Sequence, residues 1–556
     1  MHWIAHWLQN HSWPRLTPSL ARSEALAGLT VALVMVPQAV AYAQLAGMPL
    51  VTGLYASLLP AVVAVLFGSA NRLSVGPAAL TCVLISASLN GLATPGSPEW
   101  VSLAVWLALL SGAIQLALGW GGYGWLLNLI SAPVLMGFTQ AAALLIMGSQ
   151  VPAMLGVKHM HDLWSISAWP MWPSVFGLGS LLVLLLLRHF QPRWPGIMLV
   201  VGAAGVLSWA LDYAQHGAVL GALPSGWPTF YGPQWPGFET LSHLWVPAMV
   251  IALVSFLETA SSARIECQRD SKRWDDNREL VGQGLAKWVS ACCGSFATST
   301  SFSRSALMLY AGARSAWSVV FCSLWVLVAL LFFMPTLSGV PQSVLSAAVI
   351  VAVMNLFQPR QFLKLWRISR AETLTAALTF VITVLNAPAI YWGVLAGVLM
   401  TLAHFLYQRL HPRIIEIGLH SDGSLRDRHL WQRPPLAPDL YALRMDAELD
   451  FAAASALERA IVSHLTAHPE VRHVCLFAHP INRIDATGVE MMHKLEALLQ
   501  ERNIVLHISG IKLPVETVLL RAGCLTPRDN LRLYRTDAEA VQALQRLHAF
   551  SEEWHI

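Results

Sequence analysis

Two short polar segments interrupt the apolar tracts of this chain, and together they could bind an anion. The first runs from Asn71 to Leu80 and includes Gly76 followed by Pro77. A Gly-Pro pair ends one stretch of backbone, and proline suits the first turn of a helix, where an N–H group has no partner within the helix. The segment therefore predicts a helix that begins beside Pro77 and leaves its first N–H groups free.

The second segment runs from Ser299 to Ala306, is rich in hydroxyl groups and also opens a helix. One segment lies in each half of the apolar region, which suits an inverted repeat. Two helix N-termini that meet near the middle of a membrane would present N–H donors and partial positive charge to an anion. The alternative is that each segment is an interfacial loop capped by serine or glycine.

Two charged side chains lie inside apolar tracts, where a charge is costly and usually serves a function. Arg304, next to a helix N-terminus, would supply the full positive charge needed to hold a dehydrated anion. Its alternative is a side chain that extends to the lipid headgroups. Glu258 could carry a proton with the substrate or coordinate sodium, and its alternative is a structural ion pair with a basic residue such as Arg304.

A third polar feature ends the first apolar run, where Gln38 and Tyr42 are four residues apart. That spacing places both side chains on one face of a helix. They could present hydrogen-bonding groups to a cavity, or they could join neighbouring helices.

The composition limits where these residues can lie. Apolar residues make up 55% of the 556 residues and charged residues only 12%, about half of the share in soluble proteins. Long tracts before residue 410 are nearly free of charge, and only a lipid-facing surface can be built from them. The sequence has no Walker A loop, no H-E-x-x-H motif and no paired cysteine clusters. We therefore expect a membrane transporter rather than an enzyme, with no metal, no cofactor and no nucleic-acid partner.

Hydropathy predicts about fourteen membrane segments. Ten are of full length: 24–46, 50–67, 101–119, 132–151, 172–188, 195–211, 244–265, 315–335, 371–387 and 389–408. Four are shorter: 77–90, 279–293, 302–313 and 342–357. Counted in chain order, the sixth, eighth and twelfth segments are 172–188, 244–265 and 342–357, and basic residues gather after each of them. The opposite loops 90–100 and 211–247 contain no lysine or arginine. This bias places both termini in the cytoplasm.

After residue 410 the pattern changes to that of a soluble domain. Residues 411–436 are polar and rich in proline, which predicts a linker. Residues 437–556 alternate short apolar strands with amphipathic helices, which is typical of a small α/β domain. The predicted strands are 441–444, 471–477 and 504–509, and the predicted helices are 452–466, 488–501, 515–522 and 537–548.

Several of these motifs together resemble the sulfate permease (SulP) family of anion transporters, and the resemblance covers nearly the whole chain. The C-terminal part, with Ile484-Asp-Ala-Thr-Gly488 opening a helix, resembles the STAS domain that ends most family members. The motifs in the membrane region are Pro37–Tyr55, Leu73–Ala78, Pro133–Thr139, Phe256–Thr259, Glu279–Ala286 and Ser301–Ala306.

The resemblance implies a seven-plus-seven inverted repeat, divided into core and gate subdomains, that moves its substrate by an elevator-like motion. It also implies an anion site between the N-termini of the third and tenth segments, Glu258 as the coupling residue, and a homodimer. The site residues carried over are Gln38, Tyr42, Gly76, Pro77, Ala78, Ser301, Phe302, Ser303 and Arg304. Position 78 is alanine where some animal members carry phenylalanine, which leaves a roomier pocket and argues against a halide-selective channel.

One loop of the STAS-like region departs from the pattern of related anti-sigma-factor antagonists, which have Asp-Ser-Ser/Thr-Gly. Here Ala486 replaces the first serine. Thr487 remains a candidate phosphorylation site, whereas Asp485 is expected to cap the helix that follows. The domain is then expected to serve dimerisation and regulation.

The sequence thus predicts a multi-pass protein of a bacterial inner membrane that takes up a small inorganic anion, foremost sulfate, together with protons. Sodium-coupled uptake of bicarbonate or a dicarboxylate remains an alternative of the same class, because helix dipoles and one arginine suit any small oxyanion. A passive anion channel and an anion sensor that signals through the STAS-like domain are alternatives of other classes.

Overall fold

The computed structural model describes residues 13–157, 169–191, 196–221, 226–334, 338–354, 356–387, 389–526 and 528–552. Within them the chain forms two compact units, one up to Thr401 and one from Leu402 onward. The first unit is helical and apolar, and the second contains an open sheet with helices.

A helix lies on every segment that hydropathy predicts, and seven of the described helices are long and apolar enough to cross a membrane when α2 and α3 are counted as one. In chain order the helices are α1 (Pro18–Leu45), α2 (Leu50–Tyr55), α3 (Leu59–Phe67), α4 (Ala79–Leu89), α5 (Pro98–Trp120), α6 (Ala132–Leu155), α7 (Met171–Phe190), α8 (Gly196–Ala210), α9 (Phe238–Arg269), α10 (Asp276–Cys292), α11 (Phe302–Tyr310), α12 (Trp317–Val328), α13 (Gln342–Met354), α14 (Arg360–Ile368), α15 (Arg370–Leu385) and α16 (Tyr391–Leu410).

One predicted segment, 50–67, is interrupted rather than continuous. It forms α2 and α3, with a turn over residues 56–58. Pro60 favours the break, because it has no N–H group to continue the helix and its ring clashes with the carbonyl group four residues earlier, whereas it fits the first turn of a new helix.

Helices α5 and α10 approach each other closely at a pair of glycines. A Cβ atom added to Gly112 would lie 2.9 Å from the carbonyl oxygen of Gly284, and one added to Gly284 would lie 2.8 Å from that of Gly112. Only residues without a side chain allow backbones to come this near. The two helices run antiparallel, since Gly119 further along α5 meets Leu280 and Val281 earlier on α10.

The second unit is built on a six-stranded sheet in the order β4-β3-β5-β6-β7-β8, in which β5 to β8 are parallel and β3 and β4 are antiparallel to their neighbours. Its strands are β3 (Ile414–Leu419), β4 (Leu425–Asp427), β5 (Leu440–Met445), β6 (His473–Phe477), β7 (Val505–Ser509) and β8 (Leu531–Tyr534). Its helices are α17 (Ala454–Ala467), α18 (Ala486–Glu501), α19 (Leu513–Arg521) and α20 (Asp537–Glu552).

Residues 411–436, predicted as a linker, instead contribute β3 and β4 to this sheet. Ile415 and Ile417 are buried there, and β3 pairs with β5 so that Ile414 lies opposite Met445. The sequence pattern did not indicate the strands because three closely spaced isoleucines stand among prolines and charged residues. The strand β8 was also not predicted. It has only four residues, and the two in the middle, Arg532 and Leu533, are both exposed, so the strand lacks an alternating apolar pattern.

The strand arrangement predicts how truncated proteins will behave. A chain that ends at residue 436 would keep β3 and β4 but lose β5, which leaves an unpaired strand edge that can pair with other molecules. A chain that ends at His411 lacks all six strands of this sheet and so has no unpaired strand edge. We expect the longer truncation product to aggregate more than the shorter one on size-exclusion chromatography in detergent. Equal elution profiles would contradict the assignment of β3 to this unit.

A buried histidine gives the second unit a pH-dependent stability. His507 on β7 is 1% exposed, and its ring lies 3.1 Å from both the hydroxyl group of Tyr534 and the Nδ1 atom of His473. Burial lowers the pKa of His507 to about 4. Between about pH 6.5 and about pH 4 the histidine binds a proton in the unfolded chain but stays neutral in the folded one. The free energy of unfolding therefore falls by roughly 3 kcal/mol as the pH drops through this range.

We therefore expect the unfolding temperature of the second unit to fall over this pH range. His507→Gln removes the titrating group and is expected to flatten that part of the profile, as measured by thermal unfolding between pH 4 and 8. His479→Gln, at an exposed position of the same unit, is the control and should leave the slope unchanged. An identical slope for wild type and His507→Gln would contradict the prediction.

Candidate functional site

A two-stranded sheet joins the two polar segments. Strands β1 (Val75–Gly76) and β2 (Ser299–Thr300) pair antiparallel, with Val75 opposite Thr300 and Gly76 opposite Ser299. The N–H group of Ser301 donates to the carbonyl oxygen of Ser74 over 3.1 Å. The starts of α4 and α11 therefore lie side by side, as the sequence predicted for two helix N-termini.

Local sequence explains why both helices begin where they do. Ala78, in extended conformation, precedes α4, and Pro77 has no N–H group to continue the β1 ladder. Ser301 caps α11, because its hydroxyl oxygen accepts the N–H of Arg304 at 3.5 Å. Each helix thus directs its positive dipole end and its first N–H groups toward the junction of β1 and β2.

Arg304 supplies a full positive charge to this junction from its buried side. Its side chain is 1% exposed, so it does not extend to a headgroup region. Its Nε donates to Ser74 Oγ over 3.2 Å, Nη1 to Gln38 Oε1 over 3.4 Å and Nη2 to the carbonyl oxygen of Pro77 over 2.8 Å. The guanidinium group thereby fixes α1, β1 and α11 relative to one another.

The open part of the site is the first turn of α11. Phe302 is 56% exposed, Ser303 is exposed and Ser301 is half-buried, with the hydroxyl groups of Ser301 and Ser303 3.3 Å apart. A ligand in this position would meet hydroxyl and N–H donors directly, whereas the charge of Arg304 would act across Pro77.

The remaining predicted residues line the buried side. Gln38 and Tyr42 on α1 are 8% and 7% exposed, and Ala78 is 4% exposed. An added Cβ atom at Gly76 would lie 2.8 Å from the terminal methyl group of Met35 and 3.2 Å from Ser57 Oγ, so a larger residue would have to displace these side chains. Gln38 Oε1 accepts from Arg304 Nη1, a polar contact that joins α1 to α11.

Glu258 lies on α9 beside β2 rather than at the open face. Its carboxylate accepts a hydrogen bond from Ser299 Oγ, and the adjacent Thr259 hydroxyl donates to Thr300 Oγ1 over 2.9 Å. Both contacts join α9 to the strand that leads into α11. Ser299 and Thr300, which make these contacts, directly precede the cap residue Ser301.

Sequence reasoning missed several residues that hold this arrangement. Ser305 Oγ accepts the N–H of Ser74 over 3.0 Å, which ties α11 to β1. Arg72 is buried and forms ion pairs with Glu266 at 3.2 Å and Asp270 at 2.6 Å. Charged residues in or beside predicted spans were the available signal.

Lys287 on α10 was also missed. It is fully buried, and its ammonium group donates to Gln115 Oε1 over 2.9 Å. It stands directly after the motif that ends at Ala286, and a lysine within a predicted span was again the available signal. Among the described residues, no cluster of three or more His, Cys, Asp or Glu side chains is arranged to hold a metal ion.

The candidate regulatory residues lie in the second unit. Asp485 caps α18, since its Oδ1 accepts the N–H of Gly488 over 2.9 Å, and its Oδ2 accepts the N–H of Phe451 over 2.9 Å. Thr487 is exposed in the first turn of the same helix. The capping role predicted for Asp485 is confirmed, and phosphorylation of Thr487 stays a prediction.

Comparison with known proteins agrees with these features. The sequence profile of the sulfate permease family matches residues 22–379, and the profile of the STAS domain matches residues 435–540. A Mycobacterium tuberculosis protein named as a probable sulfate transporter is 31% identical over 538 residues, which cover 94% of this chain and 95% of that protein. An Arabidopsis thaliana protein named probable sulfate transporter 4.2 is 30% identical over 93% of this chain and 79% of its own length.

Among solved structures, the fold is similar to that of the murine solute carrier 26 family member A9 anion transporter in the inward-facing state. The TM-score is 0.86 at 19% identity, covering 98% of this chain and 94% of that one.

Proposed function

Because the chain belongs to the sulfate permease family, we propose that it takes up sulfate across a membrane, coupled to protons. The observation that carries the proposal is the pairing of β1 with β2, which sets two helix N-termini and the charge of Arg304 around one place. Helix N-termini and a buried cation suit an oxyanion that has lost its water.

The anion would bind in front of Arg304, at the first turns of α4 and α11. Ser301 and Ser303 would donate hydroxyl groups, and the N–H groups beside Ala78 would complete the shell. Phe302 would cover one side. Arg304 would raise the affinity by its charge while its hydrogen bonds hold Gln38, Ser74 and Pro77 in place.

Glu258 would carry the coupling proton. The hydrogen bond from Ser299 joins this carboxylate to the strand that precedes the cap residue Ser301. A protonated Glu258 is neutral, so the site in which it stands becomes more positive and holds a dianion more tightly. Proton and anion would then bind cooperatively and move together.

The wider expectations belong to the same proposal. Sulfate would cross by an elevator-like movement of a core that carries α4, α9 and α11 against a gate, in a seven-plus-seven inverted repeat. Both termini would be cytoplasmic, the membrane would be a bacterial inner membrane, and the protein would be a homodimer. The support is family membership, the apolar helices and the lysine and arginine bias of the loops.

Labelled sulfate uptake into proteoliposomes tests the proposal. An inward proton gradient and an inward sodium gradient are imposed separately, with unlabelled bicarbonate, chloride and succinate as competitors. We expect accumulation with the proton gradient, abolished by a protonophore. Flux that follows voltage without any ion gradient would favour a channel, and binding without flux would favour a sensor. Uptake of bicarbonate or succinate in place of sulfate would replace the substrate.

A further inference from the structure

Lys287 is a buried cation that the proposed transport steps do not use. It lies on α10, is 0% exposed, and donates to Gln115 Oε1 over 2.9 Å. Gly112 and Gly284 let the two antiparallel helices α5 and α10 approach closely, and each side chain lies three positions after one of these glycines. An ammonium group inside a membrane domain is costly unless an opposite charge compensates it.

A chain of hydrogen bonds connects Lys287 to Glu258. From Gln115, Nε2 donates to the Ser255 hydroxyl over 3.2 Å and to the Ala252 carbonyl oxygen over 2.7 Å. The carbonyl oxygen of Ser255 accepts from Ser299 Oγ over 3.2 Å, and that same hydroxyl group contacts the Glu258 carboxylate. Gln115, Ser255 and Ser299 therefore lie between the ammonium group of Lys287 and the carboxylate of Glu258.

The other ionisable groups around Glu258 come from three further helices. They are Tyr42 on α1, Cys82 on α4 and Arg304 on α11. Only Arg304 among these is a cation, and its guanidinium is engaged by groups of α1 and β1. Lys287 and Arg304 are therefore the two cations that can compensate an ionised Glu258, and of the two only Arg304 is hydrogen-bonded to residues of the proposed anion site.

We propose that Lys287 is a built-in counter-charge for Glu258 and thereby makes the proton, not sodium, the coupling ion. The inference deepens the proposed function and rests on Glu258 as the coupling residue. A sodium ion beside an ionised Glu258 would add a positive charge where Lys287 and Arg304 already stand, and it would need several oxygen ligands. A proton needs no such shell, because it forms an O–H bond with the carboxylate itself.

The same charges explain why a proton would favour a dianion. When Glu258 is ionised, the three residues Glu258, Lys287 and Arg304 together carry one net positive charge. Once Glu258 is protonated, two positive charges remain, which match the two negative charges of sulfate. Lys287 acts through Glu258 and is a positioning residue rather than a substrate contact.

The first measurement is binding of radioactive sodium to purified full-length protein at several pH values from 6 to 8, which does not depend on transport. We expect no saturable binding to wild type or Lys287→Arg. In Lys287→Gln the ionised carboxylate loses its counter-charge, and we expect saturable sodium binding to appear. Lys364→Gln, which alters an exposed lysine on α14, is the matched control and should bind no sodium. Sodium binding by wild type, or none by Lys287→Gln, would overturn the proposal.

The second measurement is the pH profile of proton-driven sulfate uptake. Without a neighbouring cation the carboxylate holds its proton more firmly, so uptake by Lys287→Gln is expected to extend to higher pH, while Lys287→Arg keeps the wild-type profile. A structural role for Lys287 would lower the rate at every pH without moving the profile. If wild type takes up no sulfate, the proposed function fails, and the sodium-binding result still decides the role of Lys287.

A third variant covers failure of Lys287→Gln to fold. Glu258→Gln with Lys287→Gln removes both charges together, so pairing predicts that the double variant is recovered as monodisperse protein, with at least about tenfold better yield than Lys287→Gln alone. Equal loss of both variants would show that Lys287 serves another partner and would overturn the proposal.

Discussion

Replacing Arg304 with alanine is expected to lower the affinity for sulfate by roughly 100-fold or more, because about 3 kcal/mol or more is lost when a buried, hydrogen-bonded cation is removed. Two effects add together. The positive charge near the anion is lost, and Ser74, Gln38 and the carbonyl group of Pro77 lose their common donor. Both effects weaken the junction of β1 and β2 that presents the helix N-termini.

Titration of sulfate by isothermal calorimetry on purified protein measures this change directly. Arg304→Lys keeps the charge but cannot reach three acceptors in a fixed fork, so an affinity between those of wild type and Arg304→Ala is expected. Arg264→Ala is the matched control, since this arginine is exposed on α9 with its guanidinium over Trp274. An unchanged affinity in Arg304→Ala would contradict the role given to the residue.

Replacing Glu258 with glutamine is expected to abolish proton-driven accumulation of sulfate while leaving anion binding intact. The amide group is neutral, as a protonated carboxyl group is, and its oxygen can still accept the hydrogen bond from Ser299. The variant would therefore bind sulfate and exchange it across the membrane but could not release a proton. The accumulation ratio is expected to fall to about one, since without coupling the proton gradient contributes no free energy.

Two assays on the same proteoliposomes separate these outcomes. Uptake driven by a proton gradient reports coupling, and exchange of internal for external sulfate reports substrate movement. Glu239→Gln, an exposed carboxylate in the first turn of the same helix, serves as the control and should accumulate sulfate normally. Retained accumulation in Glu258→Gln would remove Glu258 from the coupling step, and loss of both activities would make it structural.

The sequence alone was sufficient to predict the family, the order of the helices and the STAS-like region, because these depend on signals within single segments. Apolar runs indicate spans, and Gly-Pro and serine-rich starts indicate helix N-termini. The turn over residues 56–58, just before Pro60, divided the predicted span 50–67 into two helices but left the ends of the span where they were predicted. Strands β3 and β8 were missed, since a short strand is stabilised by its neighbours more than by its own residues.

The tertiary structure decided how residues far apart in the chain meet. Ser74 and Arg304 are 230 positions apart, and nothing local indicates that a guanidinium would be buried against Ser74, Gln38 and Pro77 rather than face the ligand. The contact of Lys287 with Gln115 spans 172 positions and depends on two glycines in different helices. Helix starts and spans are fixed by residues a few positions apart, whereas burial and the pairing of charges depend on which helices pack together, and that is a property of the folded chain.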